Sequence, residues 1–415
     1  MEQEMNKQQI LVISSYPPKE KLVDEKVGGV AYYLKNFVDQ IESIRFTILS
    51  EKFKTVPNAE FNDTKGNKII PTWDKNAILS IFATLKQIKR QKYHSVVVNY
   101  DFGVFGGTKS AAIFPFFLIL LRLKHNKITI IQHSALQDLT KMAGHLQMSE
   151  TDFRLKIYGI GIKLNFVLFL ILCNKILLLE EEFKERLLKL PFAKASKISV
   201  VQHPIYNPQP STKLDLTPPA QIKRGKFNIL FFGFLTWYKG ADWIVRATIE
   251  PDWPEEVNLI MAGGKTINLD NDDYYESLLK LISKSQFTQH TGFVSDESIG
   301  RYFTNADIIV LPYRVLMASS GPLAWAIAYK KPFLISDKLL AYTKAKDMQK
   351  GMEKLGINPT DFSFTTKDFK SLVDKILELK NNPNKLAKLS ELSHYLNKTR
   401  NLKFLANEFG KELLK

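Results

Sequence analysis

The sequence predicts an α/β chain of two doubly wound parallel-sheet domains, and three observations carry that prediction. Short continuous apolar runs alternate with helical stretches, as expected of parallel strands covered on both faces. The alternation occurs twice along the chain. Between the two series lies "HPIYNPQPSTKLDLTPPAQIKRGK" (203–226), rich in proline and polar residues, which reads as a linker.

In the first series "ILVISS" (10–15) precedes a helix beginning near Gly29. "FTILS" (46–50), "SVVVNY" (95–100), "ITIIQH" (128–133), "KILLLE" (175–180) and "ISVVQH" (198–203) follow. The second series runs through "FNILFFG" (227–233), "VNLIMAGG" (257–264), "FTQHTGF" (287–293), "DIIVLPY" (307–313) and "PFLISD" (332–337). This places a first domain at 1–205, a linker at 206–226 and a second domain at 227–395. A terminal helix, about 396–415, is free to pack back on the first domain. A chain of 415 residues is long enough for two separate cores. Two such domains facing each other are expected to hold a ligand between the carboxyl ends of their sheets.

Bulk composition narrows the function. Hydrophobic content of 45% and charged content of 24% are those of a soluble globular protein. The one cysteine, Cys173, excludes a disulfide framework or a cysteine-based metal site and suits a reducing cytoplasm. "MEQEMNKQQILVIS" runs straight into a strand and does not read as a secretory signal. With 58 basic and 42 acidic residues the net charge is +16, which favours anionic partners. No zinc finger, RNP motif or basic zipper is present, so nucleic acid rests on charge alone and is not an expected partner. "IFPFFLILL" (113–121) is followed by "RLKHNK", and "FVLFLILC" (166–173) lies between Lys163 and Lys175. Both runs fall short of the ~20 apolar residues of a spanning helix. Two readings stay open: buried core helices, or a monotopic surface on the inner face of an anionic membrane.

The candidate site residues sit where strands give way to helices. "LPYRVLMASSGPLAWAIAYKKPFLISD" (311–337) reads as strand, loop, helix and strand. Ser319, Ser320, Gly321, Pro322 and Leu323 open its helix, and hydroxyls and free amides at a helix N-terminus attract an anion. In "KVGGVAYYLKNF" (26–37) Gly28 and Gly29 allow a phosphate to approach another helix start closely. In "FFGFLTWYKGADWIVRA" (231–247) a strand ends at Gly233, and Lys239 lies just before Gly240 and the next helix. An ammonium there is placed to act as counter-charge for a diphosphate.

These blocks, with "TGFVSDESIGRYFTNADIIVLPY" (291–313) between them, resemble the GT-B-fold retaining glycosyltransferases of family 4 (glycosyl transferases group 1) in order and spacing. The resemblance implies a nucleotide-sugar donor, UDP- or GDP-linked, bound mainly by the second domain. It implies a saccharide or lipid-linked saccharide acceptor held by the first, in glycoconjugate or polysaccharide assembly. No metal or other cofactor is expected: no DxD-like pair ends a strand, and "LDNDD" (269–273) reads as solvated surface. The resemblance makes His133 a histidine near the donor sugar, catalytic together with Lys239, and leaves His203 a structural or hinge role. It adds Gly233, Thr236, Gly292, Phe293, Val294, Arg314, Met317 and Trp325 as nucleotide- or sugar-side positions. "YDFGVFGG" (100–107) resembles the aromatic-Gly loop before an acceptor-side helix, which points to Tyr100, Asp101 and Phe102.

The departures matter equally. The family's two glutamates align with Met317 and Trp325, neither of which accepts a hydroxyl proton. Phe234 stands where the family has an arginine. Arg314 is open to two readings, a replacement positive charge or a surface ion pair. In a retaining transfer the leaving diphosphate can itself accept the acceptor's proton, so the expected activity is transfer. The alternative is a catalytically silent homologue that binds a nucleotide sugar or a partner subunit.

Overall fold

The computed structural model describes residues 7–20, 27–75, 77, 79–88, 92–101, 103–106, 108–136, 138–205, 217–265 and 273–415. Phe102, residues 206–216 of the linker and residues 269–272 of the acidic stretch lie outside the described residues. The chain forms two compact units: Met1–Gln137 with Lys156–Pro204 and Leu402–Lys415, and Asp138–Leu155 with Ile205–Asn401.

The first unit is built on eight strands, β1 (Gln8–Ile13), β2 (Ile44–Glu51), β3 (Phe61–Asn62), β4 (Lys68–Trp73), β5 (Ser95–Tyr100), β6 (Ile128–Gln132), β7 (Lys175–Leu178) and β8 (Ile198–Val200). Their order is β3-β4-β2-β1-β5-β6-β7-β8, and every pairing is parallel except β3 with β4. Helices α1 (Gly29–Val38), α2 (Thr108–Lys124), α3 (Phe153–Leu172) and α4 (Glu181–Leu188) supply the long connections that parallel strands require. The six apolar runs of the first series all appear as strands. Two further strands escape the pattern, because β3 is two residues long and β4 carries Pro71. That proline is tolerated opposite Ser50, beside a register shift at Ser50 and Glu51.

The second unit has an all-parallel sheet of β9 (Phe227–Phe232), β10 (Val257–Ala262), β11 (Thr288–Gly292), β12 (Ile308–Leu311), β13 (Phe333–Ser336) and β14 (Ser363–Phe364), ordered β11-β10-β9-β12-β13-β14. Its helices are α5 (Ala241–Ala247), α6 (Asp273–Ile282), α7 (Ile299–Asn305), α8 (Gly321–Ala328), α9 (Lys346–Leu355), α10 (Lys370–Asn381) and α11 (Pro383–Thr399). Strand order reverses between β9 and β12. In open α/β sheets the carboxyl ends at such a reversal are where ligands bind.

Two assignments differ from a simple division at residue 205. Residues 138–155 group with the second unit, for a reason visible in its site. The terminal helix α12 (Leu402–Leu414) groups with the first. There Leu405, Ala406, Phe409 and Leu413 join the core of Phe37, Phe46, Ile48 and Val97, with the Phe409 ring stacked on Phe37 at 4.6 Å. Lys175 of β7 makes an ion pair with Glu412. Partial burial works against the Glu412 charge, but hydrogen bonds from Lys175, Lys415 and Ser199 prevail and hold its pKa at about 2.

Candidate functional site

In the second unit the carboxyl ends of β9, β10 and β12 converge with the start of α8. The chain leaves β9 at Gly233, whose φ of +107° favours glycine. A Cβ there would lie 3.0 Å from Lys239 Nζ and 3.4 Å from Pro322 Cγ, so the ammonium rests over the glycine beside the first turn of α8. On the other flank Gly263 approaches so closely that a Cβ would meet the Gly233 carbonyl oxygen at 1.9 Å.

The turn carrying the lysine is held from three sides. Gly240, at φ +74°, lies against Pro312, where a Cβ would meet the carbonyl oxygen at 1.9 Å. Arg314 donates to the Trp237 carbonyl at 2.8 Å and stacks its guanidinium on the Trp237 ring at 4.8 Å. Residues 138–155 cover the remaining side: Gly144 packs against the Trp237 indole, and the His145 ring meets Tyr238 at 5.2 Å. A side chain at 144 would occupy the indole's place, which is why this stretch belongs to the second unit.

The held turn keeps Lys239 8% exposed. Among the described residues its ammonium has no hydrogen-bond or ion-pair partner, only the Phe234 and Tyr238 rings, each 5.9 Å away. Burial lowers its pKa to about 8, so at pH 7 most molecules carry an uncompensated buried cation. The Thr236 hydroxyl in the same turn is also buried, with no hydrogen-bond partner among the described residues. Such groups are costly to leave unsatisfied. An anion above Gly233 would satisfy both.

Arg314 does not supply a second free charge. It makes a two-pronged ion pair with Asp242, at 2.6 and 2.8 Å, and Asp242 also accepts from the Tyr274 hydroxyl at 2.7 Å. Of the two readings, the structure has the ion pair, partly buried. Ser320 Oγ is the N-cap of α8, accepting from the Leu323 amide at 3.2 Å and lying 3.1 Å from the Tyr313 hydroxyl. Pro322 has no N–H, so the Gly321 amide is the helix donor left to face a ligand. Ser319 and Met317 are half-buried in the same loop. Trp325 stacks along the helix on Tyr329 at 5.9 Å, near Phe303. Gly292 leaves β11 at φ +70° and bridges to Gly263; beside it Phe293 is exposed and Val294 buried.

The first unit carries its own polar cluster at the reversal between β1 and β5. Asn99 donates to Ser14 Oγ at 2.9 Å and toward the Val30 carbonyl at 3.4 Å, which turns its carbonyl oxygen to His133 Nε2 at 2.7 Å. That oxygen only accepts, so Nε2 carries the proton and Nδ1 is left as an acceptor. The His133 ring stands edge-on to Tyr33 at 4.7 Å, with His203 on the same tyrosine at 5.7 Å. Burial, with a smaller effect of His203, lowers the His133 pKa to about 3. Gly28 and Gly29 lie at the start of α1 with open space where side chains would be. Asp101 accepts from the Ser134 hydroxyl at 2.8 Å. Tyr100, expected on the acceptor side, is a core residue: its ring sits against Phe114 at 4.4 Å and Phe169 at 5.2 Å.

The depressed His133 pKa has a stability consequence. Between pH 6.5 and about 3 the unfolded chain takes up a proton that the folded imidazole refuses. Stability must therefore fall as pH drops through that window, by up to about 1.4 kcal/mol per pH unit from this group. His133→Gln, which can still donate to Asn99, is expected to lose less stability than the parent between pH 6.5 and 4 in urea titrations. Parallel losses in the two proteins would disprove the assignment.

Set beside known proteins, this architecture is the GT-B fold of glycosyltransferases. Residues 226–382, which include the Lys239 turn and α8, match the family model described as Glycosyl transferases group 1. Sucrose-phosphate synthase from Thermosynechococcus elongatus is similar with a TM-score of 0.69 at 14% identity, over 98% of each chain. An alpha,alpha-trehalose-phosphate synthase (UDP-forming) from Burkholderia xenovorans, in complex with glucose-6-phosphate, gives 0.66 at 8% identity, over 98% of this chain and 100% of that one. HepE of Anabaena in complex with UDP gives 0.64 at 13% identity, over 98% and 99%. No curated protein sequence matches the chain.

Proposed function

We propose that the chain is a retaining glycosyltransferase that draws a sugar from a UDP- or GDP-linked donor and passes it to a saccharide or lipid-linked saccharide. The observation that carries this reading is the buried, unpartnered Lys239 ammonium over Gly233. The donor diphosphate would sit there, between Lys239, the Thr236 hydroxyl and the Gly321 amide. As the bond from sugar to diphosphate breaks, charge builds on the leaving oxygen. A cation already fixed in a largely buried turn stabilises that charge with little reorganisation. The leaving diphosphate then takes the acceptor's proton, so Met317 and Trp325 in place of carboxylates do not prevent transfer. His133 offers a neutral imidazole whose Nδ1 can accept from a sugar hydroxyl. The reading is supported by the family match and by similarity to proteins described with UDP or as UDP-forming.

Calorimetric titration with UDP and GDP is the test, followed by assays of donor consumption with and without saccharide acceptors. One nucleotide is expected to bind and to raise thermal stability, as any ligand of the native state does. Failure of both to bind would overturn the site. Binding with no consumption of any donor would overturn the transferase reading and favour the silent homologue.

A further inference from the structure

Helices α2 and α3 connect β5 to β6 and β6 to β7, successive steps in one direction across the sheet. Right-handed crossovers place both on the same face, and Phe114 and Phe169 touch beneath them at 5.8 Å. Their inner stripes, Phe114, Phe117 and Leu121 on one and Phe166, Phe169 and Leu170 on the other, are buried as crossover helices require. The outer stripes are apolar too. Phe116 and Leu123 of α2 are 64% and 72% exposed, and Ile157, Ile160, Leu164 and Ile171 of α3 are all exposed. These α3 positions follow a helical repeat and form a continuous ridge. α3 is 20 residues long and an 18-residue stretch of it has a mean hydropathy of 1.9, so the apolar helix is longer than its 166–173 segment suggests. By length and composition it passes as a membrane span, yet its inner stripe is committed to the sheet.

The charges on the two helices have one sign. Neither contains an aspartate or glutamate. Lys124, Lys156 and Lys163 are exposed, and no hydrogen bond or ion pair engages them among the described residues. Monomeric surfaces rarely carry apolar ridges of this extent. A second copy of this chain would oppose cations to cations, whereas an anionic lipid surface complements them.

We propose that the α2–α3 face docks on an anionic bilayer, its apolar ridge entering the headgroup boundary and its lysines meeting lipid phosphates. The proposal does not depend on the transferase reading.

Co-sedimentation with vesicles of phosphatidylcholine containing 30% phosphatidylglycerol, against pure phosphatidylcholine, tests it. Binding is expected on the anionic vesicles and should weaken at least tenfold as salt rises. The paired changes Ile160→Ser with Leu164→Ser, at exposed positions, should reduce binding about tenfold or more, and so should Lys156→Glu with Lys163→Glu. Leu164→Trp should show a blue-shifted emission on adding anionic vesicles, a readout that needs no loss of function. No binding to anionic vesicles, equal binding to both compositions, or unchanged binding and emission in the variants would overturn the proposal. So would a dimer dissolved by the serine changes in a protein that ignores vesicles.

Discussion

Lys239→Ala is expected to weaken nucleoside-diphosphate binding by about 1.5–3 kcal/mol, as lost hydrogen bonds to charged groups do. Turnover of the sugar donor should fall further, by about 10²–10³-fold, as when a preorganised transition-state donor is removed. Two features separate this from a merely structural lysine. First, the parent's affinity should decline as pH rises past about 8, where the free protein's Lys239 loses its proton. The slope cannot exceed tenfold per pH unit for one group, and Lys239→Arg, always charged, should remove it. Second, Lys239→Met should raise thermal stability while weakening binding about as much as the alanine does. The folded pKa lies below the unfolded 10.5, so the unfolded chain holds its proton more readily between about 8 and 10.5. Burying the charged form costs stability below that window, and a methionine avoids the cost. A Met variant that is both less stable and fully able to bind would remove Lys239 from the site.

Phe409→Ala is expected to destabilise the first unit by about 3–5 kcal/mol, the range for deleting a buried aromatic ring. Phe409 is fully buried, stacked on Phe37, and next to Ala406 and Leu413 in the same core. The ring fills the space between α12 and α1, which a backbone framework of parallel strands cannot close by collapse. Urea unfolding followed by intrinsic fluorescence checks the effect. A change below 1 kcal/mol would show that α12 contributes little to the unit's stability.

Much of this was legible in the sequence because buried parallel strands announce themselves as unbroken apolar runs. Gly233, Lys239 and the Ser319–Gly321 loop were legible because strand-to-helix junctions are local. The partnerships were not. Arg314 and Asp242 are far apart in sequence, and nothing in "LPYR" indicates that its charge is already paired. Gly144 is an ordinary loop glycine until Trp237 is seen against it. The Asn99 carbonyl that sets the His133 tautomer comes from a neighbouring strand. Ser320 looked like a ligand hydroxyl, but the same chemistry that attracts an anion caps a helix, and here it caps. Tyr100 ends β5 beside the aromatic-Gly loop, and by packing it belongs to an aromatic core. The glycine at 263 was a missed signal, since a glycine directly after β10 repeats the one directly after β9.

The placement of α12 on the first unit reverses the order in which a growing chain can finish its parts. Residues 205–401 must be translated before Phe409 exists to cover Phe37. At ordinary synthesis rates that interval is roughly 10–40 s. Only at its end does the second unit have all its residues, including 138–155, and throughout it the first waits with one flank of its core open to water and to chaperones. A chain ended just short of residue 402 would contain every residue of the second unit and an unfinished first.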